Sequence, residues 1–265
     1  MNDKRSGIHP SPQPSTLPSL APALRLCRAA WQNAVGVFFP PLCVLCGGIR
    51  DESSRWLCRP CHDQLASNAA ARTRCPRCSV NTALRSCTCD LVWDHPFERI
   101  VSLFDYGDSV RTLVQHIKYR GMSGLAFHLG RAFAGNLPVG LWDGVECVAP
   151  IPLHFWRRMR RGYNQADCPA RGIMAGASRT GITYLVNAVE RRRNTRTQTK
   201  LDRDQRHANL QGAFAVRPGS ERKFAGRGVV LVDDVVTTGA TTGVCAQTIL
   251  DAGARFVRVV SLARD

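Results

Sequence analysis

Two residues separate Cys43 from Cys46 and two separate Cys58 from Cys61, with eleven residues between the pairs. Pairs spaced in this way sit on tight turns, and two such turns present four thiolates tetrahedrally, the coordination zinc takes in closed structural sites. Leu42, Gly47 and Gly48 supply a context suited to a knuckle turn. A second set follows as Cys75-Pro76-Arg77-Cys78 and Cys87-Thr88-Cys89, and the single residue in its last pair closes a tighter loop. This set holds a second zinc, shares ligands with the first, or stays empty; the spacing leaves all three open. Four sulfur ligands leave no position for water, so the expected role of bound zinc is structural. Cys27, Cys147, Cys168 and Cys245 are isolated and read as small buried hydrophobes.

A different chemistry is written in Val229–Thr242, VVLVDDVVTTGATT. An apolar run reads as a buried strand, and Asp233 and Asp234 then emerge at its carboxyl end, where open α/β sheets bind ligands. Two adjacent carboxylates accept hydrogen bonds from vicinal ribose hydroxyls and help hold a hydrated Mg²⁺. Thr237, Thr238, Gly239, Ala240 and Thr241 turn the chain into a helix, offering backbone N–H groups and hydroxyls to a phosphate at the positive end of the helix dipole. Small side chains let the anion approach the backbone. The same residues also suit an ordinary capped helix, and it is the length of the run that favours a ligand.

These groups need elements to position them. Val145–Pro152, VECVAPIP, is a second buried strand feeding a loop. Ile100 to Tyr106 reads as a strand, Val110 to Ile117 and Leu125 to Ala134 as helices, and Phe256 to Leu262 as a last strand after Gly253 stops the preceding helix. The β-loop-α-β order demands right-handed crossovers and a parallel sheet. The expected architecture is therefore α/β, a parallel sheet flanked by helices over 97–265, preceded by a small cysteine-rich zinc-binding module over 40–92. Residues 24–39 place Leu24, Cys27, Trp31, Ala34, Val35 and Phe38 on one face of a short helix. Residues 1–23, rich in Pro and Ser, read as a disordered tail.

The chain has 265 residues, twelve cysteines and a formal net charge of +16. Arginine carries most of that charge, and its planar fork suits phosphate and nucleic acid. A polyanionic partner is one reading, and a general enrichment in arginine is the other. Glu190 to His207 holds seven Lys or Arg against three acids and, with Arg157 to Arg161, is laid out to track a phosphate backbone; Phe155, Trp156 and Tyr163 are the stacking platforms. A solvated basic loop explains the same strip. The apolar stretch from Leu24 to Phe39 is broken by Arg25, Arg28, Gln32 and Asn33 and is too short to span a bilayer. Absence of a secretory signal and the paired cysteines lead to the expectation of a cytoplasmic protein with metal-bound thiols rather than disulfides.

The phosphate segment resembles the phosphoribosyl pyrophosphate (PRPP) signature of type I phosphoribosyltransferases, and the whole chain is similar to the ComF family of competence-associated proteins. Beyond the cysteine pairs, the resemblance is carried by Lys118-Tyr119, Pro150-Ile151-Pro152, Arg161-Gly162-Tyr163-Asn164-Gln165, and Arg206-His207-Ala208-Asn209 leading to Gly212 and Phe214. It covers about Cys43 to Arg264. Where the family carries an Arg and a Gln between its basic blocks, this chain offers Arg192, Thr195 and Gln198. The resemblance implies that Asp233 and Asp234 hold the ribose at the catalytic centre, that Thr237 to Thr241 take the 5-phosphate, and that the loop after Val148 faces pyrophosphate. Lys118, Arg157 and Arg161 join the implied PRPP-binding set, with Arg158 and Arg160 as further candidates for the leaving group, and Arg161 to Gln165 belong to a mobile loop. Mg²⁺ with PRPP and structural zinc are the implied cofactors; single-stranded DNA and other competence proteins are the implied partners, and DNA uptake or nucleotide salvage the implied setting. Because this fold also serves regulators, two functions stand at this point: a phosphoribosyltransferase of unknown acceptor, and a non-catalytic PRPP-responsive single-stranded DNA-binding protein.

Overall fold

The computed structural model describes residues 40–51, 54–70, 73–87, 89, 94–193 and 212–265. The proposed tail and short helix, and Thr195, Gln198 and Arg206 to Asn209, lie outside these residues.

Among the described residues the chain forms α1 (Arg59–Ala69), β1 (Ile100–Asp105), α2 (Asp108–Tyr119), α3 (Ser123–Phe133), β2 (Val145–Pro150), α4 (Phe155–Arg161), α5 (Asp167–Ala177), β3 (Thr183–Tyr184), β4 (Val189–Arg191), β5 (Phe214–Val216), β6 (Gly228–Val236), α6 (Ala240–Asp251) and β7 (Phe256–Arg264). Five strands make one sheet in the order β1-β7-β6-β2-β3. Every pairing in it is parallel. β4 and β5 form a separate antiparallel pair.

The sheet is buried on both faces, which explains why its central strands read as continuous apolar runs rather than alternating ones. Along β6, Val230 and Val232 join a core with Leu113 and Ile117 of α2, Leu125 and Leu129 of α3, and Ile173 of α5. The alternate residues, Val229 and Leu231, join Cys245, Ala246 and Ile249 of α6 and Phe214 of β5 on the other side. Cys147 and Cys245 are fully buried in that second core, as expected of small hydrophobes. This α/β architecture, with its cysteine-rich module, is the one expected from the sequence.

The module adds no large core of its own. Leu57 and Leu65 are buried in the same cluster as Leu103 and Phe104 of β1. Trp56 lies against α3 so closely that a Cβ on Gly124 would sit 2.9 Å from its ring. Arg74 reaches into the sheet domain to pair with Asp105 at 2.9 Å.

One strand is longer than its sequence pattern predicts. The apolar run ends at Val232, yet β6 continues to Val236 because β7 offers a ladder of equal length, with Asp233 opposite Ser261 and Val236 opposite Arg264. β2 stops earlier: its last pair is Pro150 with Val232. Asp233 and Asp234 therefore stand on a strand that projects beyond its neighbour β2.

Candidate phosphate and metal sites

The two carboxylates are held apart by strand geometry, since successive side chains point to opposite faces. Each is partly exposed, and each orients the next backbone amide: Asp234 N donates to Asp233 Oδ1 at 2.8 Å and Val235 N to Asp234 Oδ1 at 2.7 Å. Lys118, from the last turn of α2, meets Asp234 Oδ2 at 3.0 Å. Burial opposes the ammonium charge, but Asp234 and then Asp233 outweigh it and raise its pKa above the ordinary lysine value. Burial, followed by the charge of Asp234, pushes Asp233 up to about 7.

After β6, Thr237 and Thr238 are exposed and Gly239 takes a left-handed φ of +81° immediately before α6. A side chain there would be strained and would also lie 3.1 Å from His95 Cε1. Ala240 N donates weakly to Thr238 Oγ1 at 3.4 Å, and Thr242 is buried. The turn thus places the amino end of a twelve-residue helix a few residues after the two carboxylates.

Helix α4 brings the basic block to the same end of the sheet. Arg157 and Arg161 are half-buried, whereas Arg158 and Arg160 are exposed. Arg161 lies over the Tyr119 ring at 5.5 Å and donates to Gln165 Oε1 at 2.9 Å. Burial, then Arg161 and Arg160, lowers the pKa of Arg157. The Arg161 to Gln165 turn is tied down: Asn164 Nδ2 donates to Ile151 O at 2.9 Å, the Tyr163 hydroxyl donates to Ile117 O, and Gln165 is 2 % exposed. Tyr163 therefore links this turn to the helix that carries Lys118.

Arg191 on β4 joins the site without having been singled out by the sequence. It is half-buried over the Phe214 ring at 5.3 Å. Its pKa is lowered by burial and then by Arg157, while Asp233 supports its charge. Arg192, the residue expected from the family pattern, instead pairs with Glu190 at 2.8 Å and is mostly exposed. Strand alternation is the signal that separates the two, because Val189 and Arg191 share a face. A cavity of about 500 Å³ also opens beside the site, between Pro150 and Pro152, Tyr163 and Asn164, and Asn187 and Arg191. The sequence held no sign of it.

The eight paired cysteines separate into two groups of four, Cys43, Cys46, Cys58 and Cys61, and Cys75, Cys78, Cys87 and Cys89, with the sulfurs of each group within 4.8 Å of one another. A tetrahedral zinc at about 2.3 Å from sulfur requires sulfurs roughly 3.8 Å apart. Cys46 to Cys58 at 3.6 Å and Cys78 to Cys87 at 3.4 Å fit that demand. Amides donate to three of the sulfurs, Gly48 N to Cys46, Arg77 N to Cys75 and Cys89 N to Cys87, as a thiolate site needs. Of the three options for the second set, ligands shared with the first do not fit, because the two groups are distinct.

Fold and sites together define an α/β domain built on a parallel five-stranded sheet and carrying a cysteine-rich module with two potential zinc sites. The chain is 31% identical over 231 residues to the DNA utilization protein YhgH of Salmonella typhimurium, covering 85% of this chain and 97% of that protein. It is 29% identical over 237 residues to competence protein F of Haemophilus influenzae, covering 86% and 98%. Competence protein ComFC of Bacillus subtilis matches at 24% over 233 residues, covering 80% and 90%. The chain belongs to the ComF family of these competence and DNA utilization proteins. No protein-family model matches it. Among solved structures, the allosteric regulatory enzyme of purine biosynthesis superposes with a TM-score of 0.34 at 21% identity, over 52% of this chain and 25% of that one, an overlap too partial to bear on function.

Proposed function

We propose that this protein binds PRPP with Mg²⁺ at the carboxyl end of β6. The observation that carries the reading is the step in the sheet: two adjacent carboxylates on the projecting end of β6, followed within five residues by a Gly-opened helix amino terminus. Asp233 and Asp234 accept the ribose hydroxyls. The amides and hydroxyls of Thr237 to Thr241 take the 5-phosphate, which the helix dipole favours. Arg157, Arg161 and Arg191 face the pyrophosphate, and Lys118 orients Asp234. Mg²⁺, when bound, neutralises pyrophosphate charge, and the carboxyl oxygens of Asp233 and Asp234 are the donors in reach of it through its water shell. If the ribosyl group is transferred, C1 becomes cationic as pyrophosphate departs, so catalysis consists in binding the leaving group and excluding water.

Isothermal titration with PRPP and Mg²⁺ tests the reading: saturable binding by the unmutated protein and its loss in Asp233→Asn/Asp234→Asn are expected, and no binding by the unmutated protein refutes it. Pyrophosphate release across a panel of nitrogen acceptors then separates an enzyme from a sensor.

A second reading is supported by the exposed face of the helix that carries Arg157 and Arg161. Helix α4 exposes Phe155, Trp156 and Met159, 59, 67 and 65 % exposed, among Arg157, Arg158, Arg160 and Arg161. Apolar rings among arginines are what a single-stranded nucleic acid stacks on and pairs with. The name of the relative in Salmonella typhimurium, a DNA utilization protein, accords with such a partner. Binding would make the protein a PRPP-responsive single-stranded DNA-binding component of DNA uptake, acting with other competence proteins in the cytoplasm. Among the described residues no helix is long and apolar enough to cross a membrane.

A further inference from the structure

We propose that the second cysteine set is part of the phosphate site: a metal held by Cys75, Cys78, Cys87 and Cys89 keeps the 237–241 turn in its binding shape through Arg264. The inference rests on the PRPP reading of that turn.

A single guanidinium spans the two places. Arg264, the last residue of β7, donates from Nε to Cys78 O at 3.0 Å and from Nη1 to Val236 O at 3.0 Å and to Thr237 O. Val236 and Thr237 are where β6 gives way to the turn, and Thr237 and Thr238 are exposed. The Cys78 carbonyl is fixed by the knuckle around it, in which Cys75 N donates to Val80 O at 2.8 Å and Ser79 N to Cys75 O at 2.9 Å. That knuckle is itself seated on the sheet by Ser102 N to Ser79 Oγ at 2.9 Å and Ile100 N to Arg77 O at 2.8 Å. A second contact reaches the turn from the segment that follows the cysteines. His95 stacks on buried Phe97 at 4.8 Å and lies over Gly239, where a Cβ would sit 3.1 Å from its Cε1.

Four thiols clustered in so small a space are the donors that a cation gathers as thiolates. Without it the Cys75 to Cys89 knuckle loosens, the Cys78 carbonyl drifts from Nε, and the guanidinium no longer fixes the two carbonyls at the start of the turn. The first cysteine set has no such route among the described hydrogen bonds, so the effect belongs to the second set. Coupling of this kind is reciprocal: PRPP must slow loss of metal from the second set by the same free energy through which the metal favours PRPP. Arg264 acts here as a positioning residue.

The test compares the full-length zinc-loaded protein with Arg264→Met, Arg264→Lys, Cys87→Ser/Cys89→Ser and, as a control on the first set, Cys46→Ser. Expected are a loss of PRPP affinity of about ten-fold in Arg264→Met and in the second-set variant, a size ordinary for site-to-site coupling, with Arg264→Lys intermediate and Cys46→Ser close to wild type. Zinc release to a chromogenic chelator should slow when PRPP is present, and this effect should vanish in Arg264→Met. Hydrogen exchange at amides 236–241 supplies an arm that needs no PRPP: exchange should quicken in the second-set variant and in Arg264→Met. Unchanged exchange in both overturns the inference, as does unchanged PRPP affinity in Arg264→Met. A wild-type protein that binds no PRPP but shows the exchange change sinks the PRPP reading alone. Should the double cysteine variant not fold, Arg264→Met decides.

Discussion

At the scale of residues, charge placement governs what the proposed PRPP site can hold. Burial and the neighbouring Asp234 push the Asp233 carboxyl up to about 7, while Asp234 lies 3.0 Å from the Lys118 ammonium. A carboxyl that must be ionised to accept ribose hydroxyls makes PRPP affinity fall as pH drops below about 7. The decline should approach about ten-fold per pH unit, and titrations at several pH values should show it flattened in Asp233→Asn. Stability carries the opposite sign. A carboxyl whose folded pKa is raised is more easily ionised in the unfolded chain, so it destabilises the fold progressively from the unfolded value of 3.8 up to about 7. Asp233→Asn should accordingly gain thermal stability over wild type on going from pH 4 to pH 8, and melting curves at the two values measure that difference.

At the scale of elements, glycines let two helices meet closely enough to set the basic block. A Cβ on Gly172 of α5 would lie 2.2 Å from Phe127 O, and one on Gly130 of α3 would lie 2.5 Å from Pro169 O. α5 begins directly after the Tyr163 to Gln165 turn, so its seat on α3 determines where that turn, and α4 before it, stand over the carboxylates. Gly172→Ala should cost about 1–3 kcal/mol by overpacking against backbone that cannot yield. Denaturant unfolding reads this cost, and PRPP affinity should fall with it. Substituting Gly162 tests conformation alone, because nothing crowds its Cβ but its φ is +78° where α4 ends. Gly162→Ala should be destabilising by about 1 kcal/mol, the cost of a left-handed residue with a side chain.

At the scale of the whole molecule, the metal module and the sheet share one core. Leu57 and Leu65 are packed with Leu103 and Phe104. Chelation should therefore lower the melting temperature of the sheet domain itself, not just unravel residues 43–89, and metal analysis should find two zinc ions per chain. One zinc per chain would leave one of the two sets empty, and Cys46→Ser against Cys87→Ser/Cys89→Ser would tell which. The net charge of +16 bears on nucleic acid at this scale too. Binding of single-stranded DNA should weaken linearly in logarithmic salt, and Arg158→Ala/Arg160→Ala should lower the slope by about 1.4, or about 0.7 for each phosphate left without its arginine. A salt-independent signal, or none at low ionic strength, would remove the DNA reading and leave the PRPP reading intact.

Much of this was legible in local sequence, because local chemistry decides it. Cysteine spacing dictates which thiols can share a metal, and an apolar run ending in Asp-Asp and followed by Thr-Thr-Gly-Ala-Thr dictates a strand, a turn and a helix start whatever surrounds them. The strand, turn and helix start of residues 229–242 and the first cysteine set needed little further, whereas the extent of the strand and the separateness of the second set were settled by the fold. What the tertiary structure alone decided depends on partners distant in sequence. β6 runs past its apolar stretch because β7 is there to pair with it; Lys118 enters the site because α2 ends beside Asp234; Arg191 rather than Arg192 approaches Asp233 because β4 turns that face inward. Arg264 spans the second cysteine set and the phosphate turn for the same reason: residues 78, 236 and 264 are brought together by the register of the sheet and by no pattern along the chain.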